Sequence, residues 1–289
     1  MYDIEKITKV NTVADAISAL VASPDAIIIA GGSDVLIKIR EGKLAGCTLV
    51  SIREIPELKG IKLEKDETIQ IGPLTTFSQL TENPIIMERI PVLGNAVDQV
   101  GGPQIRNIGT IGGNISNGVT SADSASTLCA LNAEIEITGP KGVRKVPILE
   151  YYVKAGKVCL EQGELCTAIR IHPEDYKGYK GHYIKYAMRN AMDIATLGCS
   201  VVAKLNKDIL EDVRIAFGVA GPIPMRCPNT ENAIKGKVLN SDVYEIMRGE
   251  ILSDINPRTS WRASQEFRVQ LAQELPGRAL KIALEGQNI

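Results

Sequence analysis

Residues 101–123 read GGPQIRNIGTIGGNISNGVTSAD, and the rest of the chain is organised around them. The stretch holds six glycines, three asparagines and two threonines, and its largest apolar residues are isoleucine and valine. Such a segment buries little and gives up much backbone entropy when it is ordered. Glycine lacks a Cβ and tolerates positive φ, so other atoms can come close to the backbone. After Asp123 the sequence turns helical in character, with Ala125, Leu128, Cys129 and Leu131. A glycine turn that feeds a helix start offers N–H groups to anionic oxygens. The competing reading is a plain surface loop. Loops of this length in compact domains are usually functional or disordered, and a disordered one carries more charge and less isoleucine.

A smaller version of the same device stands upstream. Residues 26–30 (AIIIA) are short, β-branched and free of polar side chains, which predicts a buried strand. The turn GGSD follows at 31–34, and 35–40 (VLIKIR) reads as a helix ending near Gly42. Asp34 is either a helix cap or part of a ligand loop. Two such turns in one chain suit a long anionic ligand, which needs several clusters of donors.

The remaining elements follow from periodicity and caps. Residues 11–22 form an amphipathic helix capped by Asn11 or Thr12. A strand over 48–52 precedes paired strands at 60–63 and 68–72. Thr75 caps a helix beginning TFSQL, and a second helix over about 92–100 delivers the chain to the central stretch. Strands follow at 134–138, 143–146 and 165–171. The polar run DYKGYKGH after Pro173 reads as a flexible loop and a domain boundary. Strands at 182–188, 196–205 and 213–219, then helices at 241–255, 260–274 and 278–285, predict an antiparallel sheet backed by helices.

Composition narrows the function. The chain has 289 residues, 44% hydrophobic and 23% charged, with a net charge of −1. That balance removes the electrostatic case for nucleic acid or anionic lipid as the main partner. Three phenylalanines and one tryptophan make a poor base-stacking platform. No apolar run reaches a membrane-spanning length, and the N-terminal MYDIEKITKV lacks a signal peptide's apolar core. The expected location is the cytoplasm. Six cysteines stand at least seven positions apart, so CxxC spacing is absent and buried free thiols are expected. Two histidines, His172 and His182, equip the chain poorly for zinc or for histidine acid–base chemistry.

The chain resembles the FAD subunits of the molybdenum hydroxylases, the family of xanthine dehydrogenase, carbon monoxide dehydrogenase and their relatives. The resemblance is carried by Arg106-Asn107-Ile108-Gly109-Thr110-Ile111-Gly112-Gly113-Asn114-Ile115, by Ser121-Ala122-Asp123 and by Ala30-Gly31-Gly32-Ser33-Asp34. Ser260-Trp261-Arg262-Ala263-Ser264 and Phe267-Arg268 continue it, from about residue 4 to residue 272. It is strongest to the separate FAD-binding (medium) subunits of bacterial xanthine dehydrogenases.

The resemblance implies an α+β fold. An FAD-binding domain of the vanillyl-alcohol oxidase/PCMH type would span 1–175, with subdomains of about 1–58 and 59–175. A domain of the carbon monoxide dehydrogenase flavoprotein C-terminal type would span 176–289. It implies noncovalent FAD, because neither turn holds a histidine or cysteine. Ile28, Ile29, Ala30, Gly31, Gly32, Ser33, Asp34 and Val35 would hold it from one side. Asn107, Thr110, Ile111, Gly113, Asn114, Asn117 and Asp123 would hold it from the other, with Cys166 and Lys185 against the flavin. Unaided, the sequence reads Lys185 equally as a solvent-facing strand lysine. Molybdopterin and [2Fe–2S] clusters would sit in a large and a small partner subunit. Electrons from xanthine or a related N-heterocycle would pass through FAD to NAD or another acceptor. Animal xanthine dehydrogenases carry an acidic pair where this chain has Met192-Asp193, a departure that bears on NAD. Two rival readings are a nonredox scaffold of the same fold and a stand-alone flavin oxidase.

Overall fold

The computed structural model describes residues 2–285; the expected domain limits at residue 1 and over 286–289 lie outside them. Strands β1 (Ile4–Lys9), β2 (Ile27–Ile29) and β3 (Cys47–Ser51) form a parallel sheet in the order β1-β3-β2. Parallel neighbours need crossover connections, and helices α1 (Val13–Ala22) and α2 (Val35–Arg40) supply them. Thr12 caps α1 by accepting from the Asp15 amide at 3.1 Å. Ala16 and Leu20 on its inner face pack with Val50, Ile52, Ile55 and Leu58.

The second body is an antiparallel sheet in the order β4-β5-β10-β6-β7: β4 (Ile61–Leu63), β5 (Ile69–Ile71), β6 (Glu134–Gly139), β7 (Gly142–Pro147) and β10 (Leu165–Ile171). Burial alternates along β6, where Ile135 and Ile137 are enclosed and Glu134 and Glu136 are not. That is the period-2 pattern of a sheet with one buried face. The covering helices include α3 (Phe77–Glu82), α4 (Pro84–Arg89), α5 (Pro91–Asp98), α6 (Pro103–Arg106), α7 (Ile111–Ser116) and α8 (Asp123–Ala130). A short helix α9 (Ile148–Tyr151) and a ribbon of β8 (Tyr152–Lys154) with β9 (Lys157–Val158) complete it.

After α10 (Pro173–Tyr176) come β11 (Lys180–Tyr186), β12 (Leu197–Asn206), β13 (Ile209–Gly218) and β14 (Met225–Arg226), an antiparallel sheet in that order. Helices α11 (Pro228–Ile234), α12 (Ser241–Asp254) and α13 (Gln265–Glu285) follow. Strand β12 is buried on both faces. Cys199, Val201 and Ala203 pack with Met247, Ile251, Leu271 and Leu275 of α12 and α13. Val202 joins the core of the second body, and Ser200 bonds Thr127 of α8 at 3.1 Å. The antiparallel sheet is therefore backed by helices on one side and sealed against the preceding body on the other.

Several local expectations are corrected. The central stretch is not an extended loop, because α6, α7 and the start of α8 occupy much of it. Strand 26–30 is not buried: β2 is a sheet edge whose three isoleucines are each half-covered. The cap of α3 is Thr76, in a reciprocal capping box with Gln79, while Thr75 bonds the Gly60 carbonyl. The polar run near Pro173 is ordered, since Arg214 reaches Asp175 at 3.0 Å and Tyr179 donates to Asp212 at 2.6 Å. The last two expected helices are one. Leu271, Ala272, Leu275, Pro276, Ala279 and Leu280 form a continuous buried stripe, and this packing carries α13 through Pro276.

Candidate functional site

The GGSD turn and the central stretch meet backbone to backbone. A Cβ on Gly31 would stand 2.0 Å from the Ile108 carbonyl oxygen, and one on Gly112 would stand 2.3 Å from Pro73 Cβ. These two glycines are there for close packing. Asn117 then ties the two segments by donating to Asp34 Oδ2 at 2.9 Å. Gly32 and Gly113 differ. Gly32 sits at φ +78°, and Gly113 is exposed with only the Thr110 hydroxyl within 4 Å of its would-be Cβ.

The donors of the two turns are used in different ways. In α7 every early amide has a protein acceptor. Ile111 donates to the Thr75 carbonyl, Gly112 to Pro73, Gly113 to the Thr110 hydroxyl and Asn114 to the Thr110 carbonyl. The expectation that this turn offers a row of open N–H groups is thus corrected. In the first turn the amides of Gly32, Ser33, Asp34 and Val35 donate to no acceptor among the described residues. Four consecutive unpaired N–H groups beside the half-covered isoleucines of β2 fit a ligand with an anionic centre and apolar flanks.

The predicted residues divide accordingly. Ile28, Ile29, Ala30, Gly31, Ser33 and Val35 are half-buried, Gly32 is buried, and Asp34 is exposed. Asn107 is exposed and accepts from Ser78 at 2.6 Å. Asn114 accepts from Ser124 at 2.6 Å, which fixes its carboxamide. Ile111 is fully enclosed, so its side chain faces the core. Cys166 is likewise in the core, where its thiol donates to the Ala168 carbonyl and burial pushes its pKa up to about 12. Both side chains lie in the core and not on the surface of the two turns.

Asp123 is not the helix cap; Ala122 holds that position. The Asp123 carboxylate is buried, accepting from Tyr183 at 2.7 Å on Oδ1 and from Lys185 at 2.8 Å on Oδ2. Burial pushes its pKa up, against the pull of Lys185 and the hydrogen bond from Tyr183. Lys185 is not a solvent-facing strand lysine, because its side chain is 7% exposed and also donates to the Gln99 carbonyl at 2.9 Å. Gln99, Lys185 and Tyr186 line a cleft of about 440 Å³ with Arg189, Met192 and Asp193 of the following loop. Asp193 accepts from the Arg189 amide at 3.0 Å and closes that loop on itself. Tyr183 was missed in the sequence, and of this loop only Met192-Asp193 was singled out there. Tyr183 stands two residues before Lys185, on the same face of the strand, and that spacing was the available signal.

The C-terminal motif residues have a structural role. Arg268 is 2% exposed and donates to the carbonyls of Thr196 (3.1 Å), Ala263 (3.3 Å) and Arg258, and to the Ser260 hydroxyl at 2.7 Å. It clamps the turn that carries Trp261 onto the start of β12.

Residues 3–174 match the family model of the FAD-binding domain in molybdopterin dehydrogenase, and 182–283 match the carbon monoxide dehydrogenase flavoprotein C-terminal domain. A putative xanthine dehydrogenase FAD-binding subunit of Escherichia coli (strain K12) is 41% identical over 98% of this chain and 97% of its own length. The carbon monoxide dehydrogenase medium chain of Hydrogenophaga pseudoflava is 30% identical over 90% of this chain and 89% of its own. A solved structure of carbon monoxide dehydrogenase from that organism superposes with a TM-score of 0.93 at 28% identity, covering 99% of both chains.

Proposed function

Because the chain belongs to the family of FAD-binding subunits of the molybdopterin dehydrogenases, we propose that it is the electron-transfer subunit of a cytoplasmic xanthine dehydrogenase-like complex. The partners are a large subunit carrying molybdopterin and a small subunit carrying [2Fe–2S] clusters. The substrate oxidised by the complex is xanthine or a related N-heterocycle, and the acceptor is NAD or another external oxidant. Bound FAD supplies the exchange between one-electron donors and a two-electron acceptor.

The chain's own residues bind and orient. The unpaired amides of Gly32, Ser33, Asp34 and Val35 are donors for the pyrophosphate, and this is the observation that carries the reading. Ile28 and Ile29 offer apolar contact at the sheet edge. Thr110 and Asn114, each already fixed by a hydrogen bond, hold the second turn rigid behind the ligand. The Lys185 ammonium, anchored on Asp123 and Gln99, places a positive charge at the cleft, where it favours the reduced, anionic flavin.

The test is co-expression with the two partner subunits. The purified complex should release about one FAD per copy of this chain on acid treatment, and Gly32→Val should lose it while remaining soluble. Full flavin content in Gly32→Val would remove the first turn from the site.

A further inference from the structure

The buried carboxylate of Asp123 belongs to one body of the molecule, and both of its partners belong to another. Asp123 opens α8, whereas Tyr183 and Lys185 stand at i and i+2 on β11. Each carboxylate oxygen is taken by one of them, at 2.7 and 2.8 Å. Tyr183 is 1% exposed. Its hydroxyl lies where a side chain on Gly198 would be, since a Cβ there would be 2.8 Å from the hydroxyl oxygen. Gly198 pairs with Lys185 across the sheet, so the missing side chain at one strand position makes room for the hydroxyl from the neighbouring strand. A phenol and a carboxylate buried together are costly unless each satisfies the other. Here they do.

We propose that Tyr183 is a positioning residue for the flavin site, acting on Lys185 through Asp123; this rests on the reading that the cleft takes the flavin. The hydroxyl favours the ionised form of Asp123 against the effect of burial and fixes the carboxylate, and Asp123 in turn fixes the ammonium at the cleft wall. Asp123 on this account anchors the cation through Oδ2 and takes its own orientation from Tyr183 on Oδ1. In Tyr183→Phe, Oδ1 is left buried without a donor. Asp123 then takes up a proton more readily, its hold on Lys185 weakens, and the charge at the cleft is no longer offset by the carboxylate.

The experiment is a double-mutant cycle in the assembled complex with Tyr183→Phe, Asp123→Asn and the pair. It reads the FAD dissociation constant and the flavin reduction potential as a function of pH. Loss of a hydrogen bond to a charged group predicts roughly tenfold weaker FAD binding in Tyr183→Phe. Its potential should lie above that of wild type, and the gap between the two should widen toward acidic pH. On the Asp123→Asn background the same Tyr183→Phe change should alter neither quantity. A wild-type potential profile and affinity in Tyr183→Phe, or equal effects on both backgrounds, would overturn the proposal. A wild-type complex without FAD would instead overturn the functional reading beneath it. Asp123→Asn keeps the shape of the side chain, so it reports on the same link even where Tyr183→Phe misfolds.

Discussion

Gly31→Ala and Gly113→Ala separate what packing requires from what the ligand requires. A Cβ at position 31 would meet the Ile108 carbonyl oxygen at 2.0 Å, its carbon at 2.8 Å and the Gly109 Cα at 3.2 Å. All three are backbone atoms, so none can swing aside. Ordinary contact begins at 3.4 Å, so the two turns must part by 3.4 − 2.0 = 1.4 Å at the closest pair. Overpacking of this kind costs about 1–3 kcal/mol. With backbone on both sides the upper end applies, which lowers the apoprotein melting temperature by roughly 6–12 °C. At position 113 a Cβ meets only the Thr110 hydroxyl, at 2.9 Å, and otherwise faces open space. Alanine is preferred to glycine in a helix by up to about 1 kcal/mol, so the Gly113→Ala apoprotein should melt with wild type. Its methyl occupies the ligand side, and FAD should bind at least about tenfold more weakly, equivalent to about 1.4 kcal/mol. Thermal unfolding of the apoproteins and FAD titration of each decide the matter. Wild-type melting of Gly31→Ala would mean that the two turns do not touch. Wild-type affinity in Gly113→Ala would mean that the ligand does not pass there.

Arg214→Ala leaves Asp175 and Asp212 without their shared guanidinium at the junction of the two bodies; a loss of about 3–5 kcal/mol is expected in denaturant unfolding, as for a broken buried ion pair. Glu164 is held below its ordinary pKa of 4.5 by its hydrogen bonds from Arg144. Its contribution is therefore complete above that value and is lost as pH falls through the lower folded-state value. Glu164→Gln should flatten the stability curve on the acid side of pH 4.5 and leave its shape unchanged above. The single tryptophan, Trp261, is 77% exposed in the isolated chain with Arg262 stacked 4.1 Å over its ring. Its emission should resemble that of tryptophan in water and be quenched readily by acrylamide, and blue-shifted, protected emission would contradict the placement of the 260–263 turn.

Much of the fold was legible because it rests on short-range signals. The strands expected at 134–138 and 143–146 pair as the β6–β7 hairpin, and Thr12, one of the two expected caps, starts α1. What was illegible depended on tertiary partners. Pro276 reads as a helix break, yet the buried stripe from Leu271 to Leu280 holds α13 straight through it. The isoleucines of β2 read as buried from composition alone, because apolar content does not say whether protein or ligand covers an edge. In the site, the glycines announced close approach but not its object: Gly31 and Gly112 face backbone and proline, while Gly113 faces open space. Asp123 read as a flavin contact from the family resemblance, and only the neighbouring sheet reveals Tyr183 and Lys185 on its two oxygens.

The central claim is that FAD on this chain receives its electrons only through partner subunits. The most direct measurement is anaerobic addition of xanthine to the FAD-loaded isolated chain and to the assembled complex, following the visible flavin absorbance. The account predicts rapid bleaching in the complex and none in the isolated chain. Bleaching of the isolated chain, or reduced iron–sulfur clusters beside a flavin that stays oxidised in the complex, would contradict it.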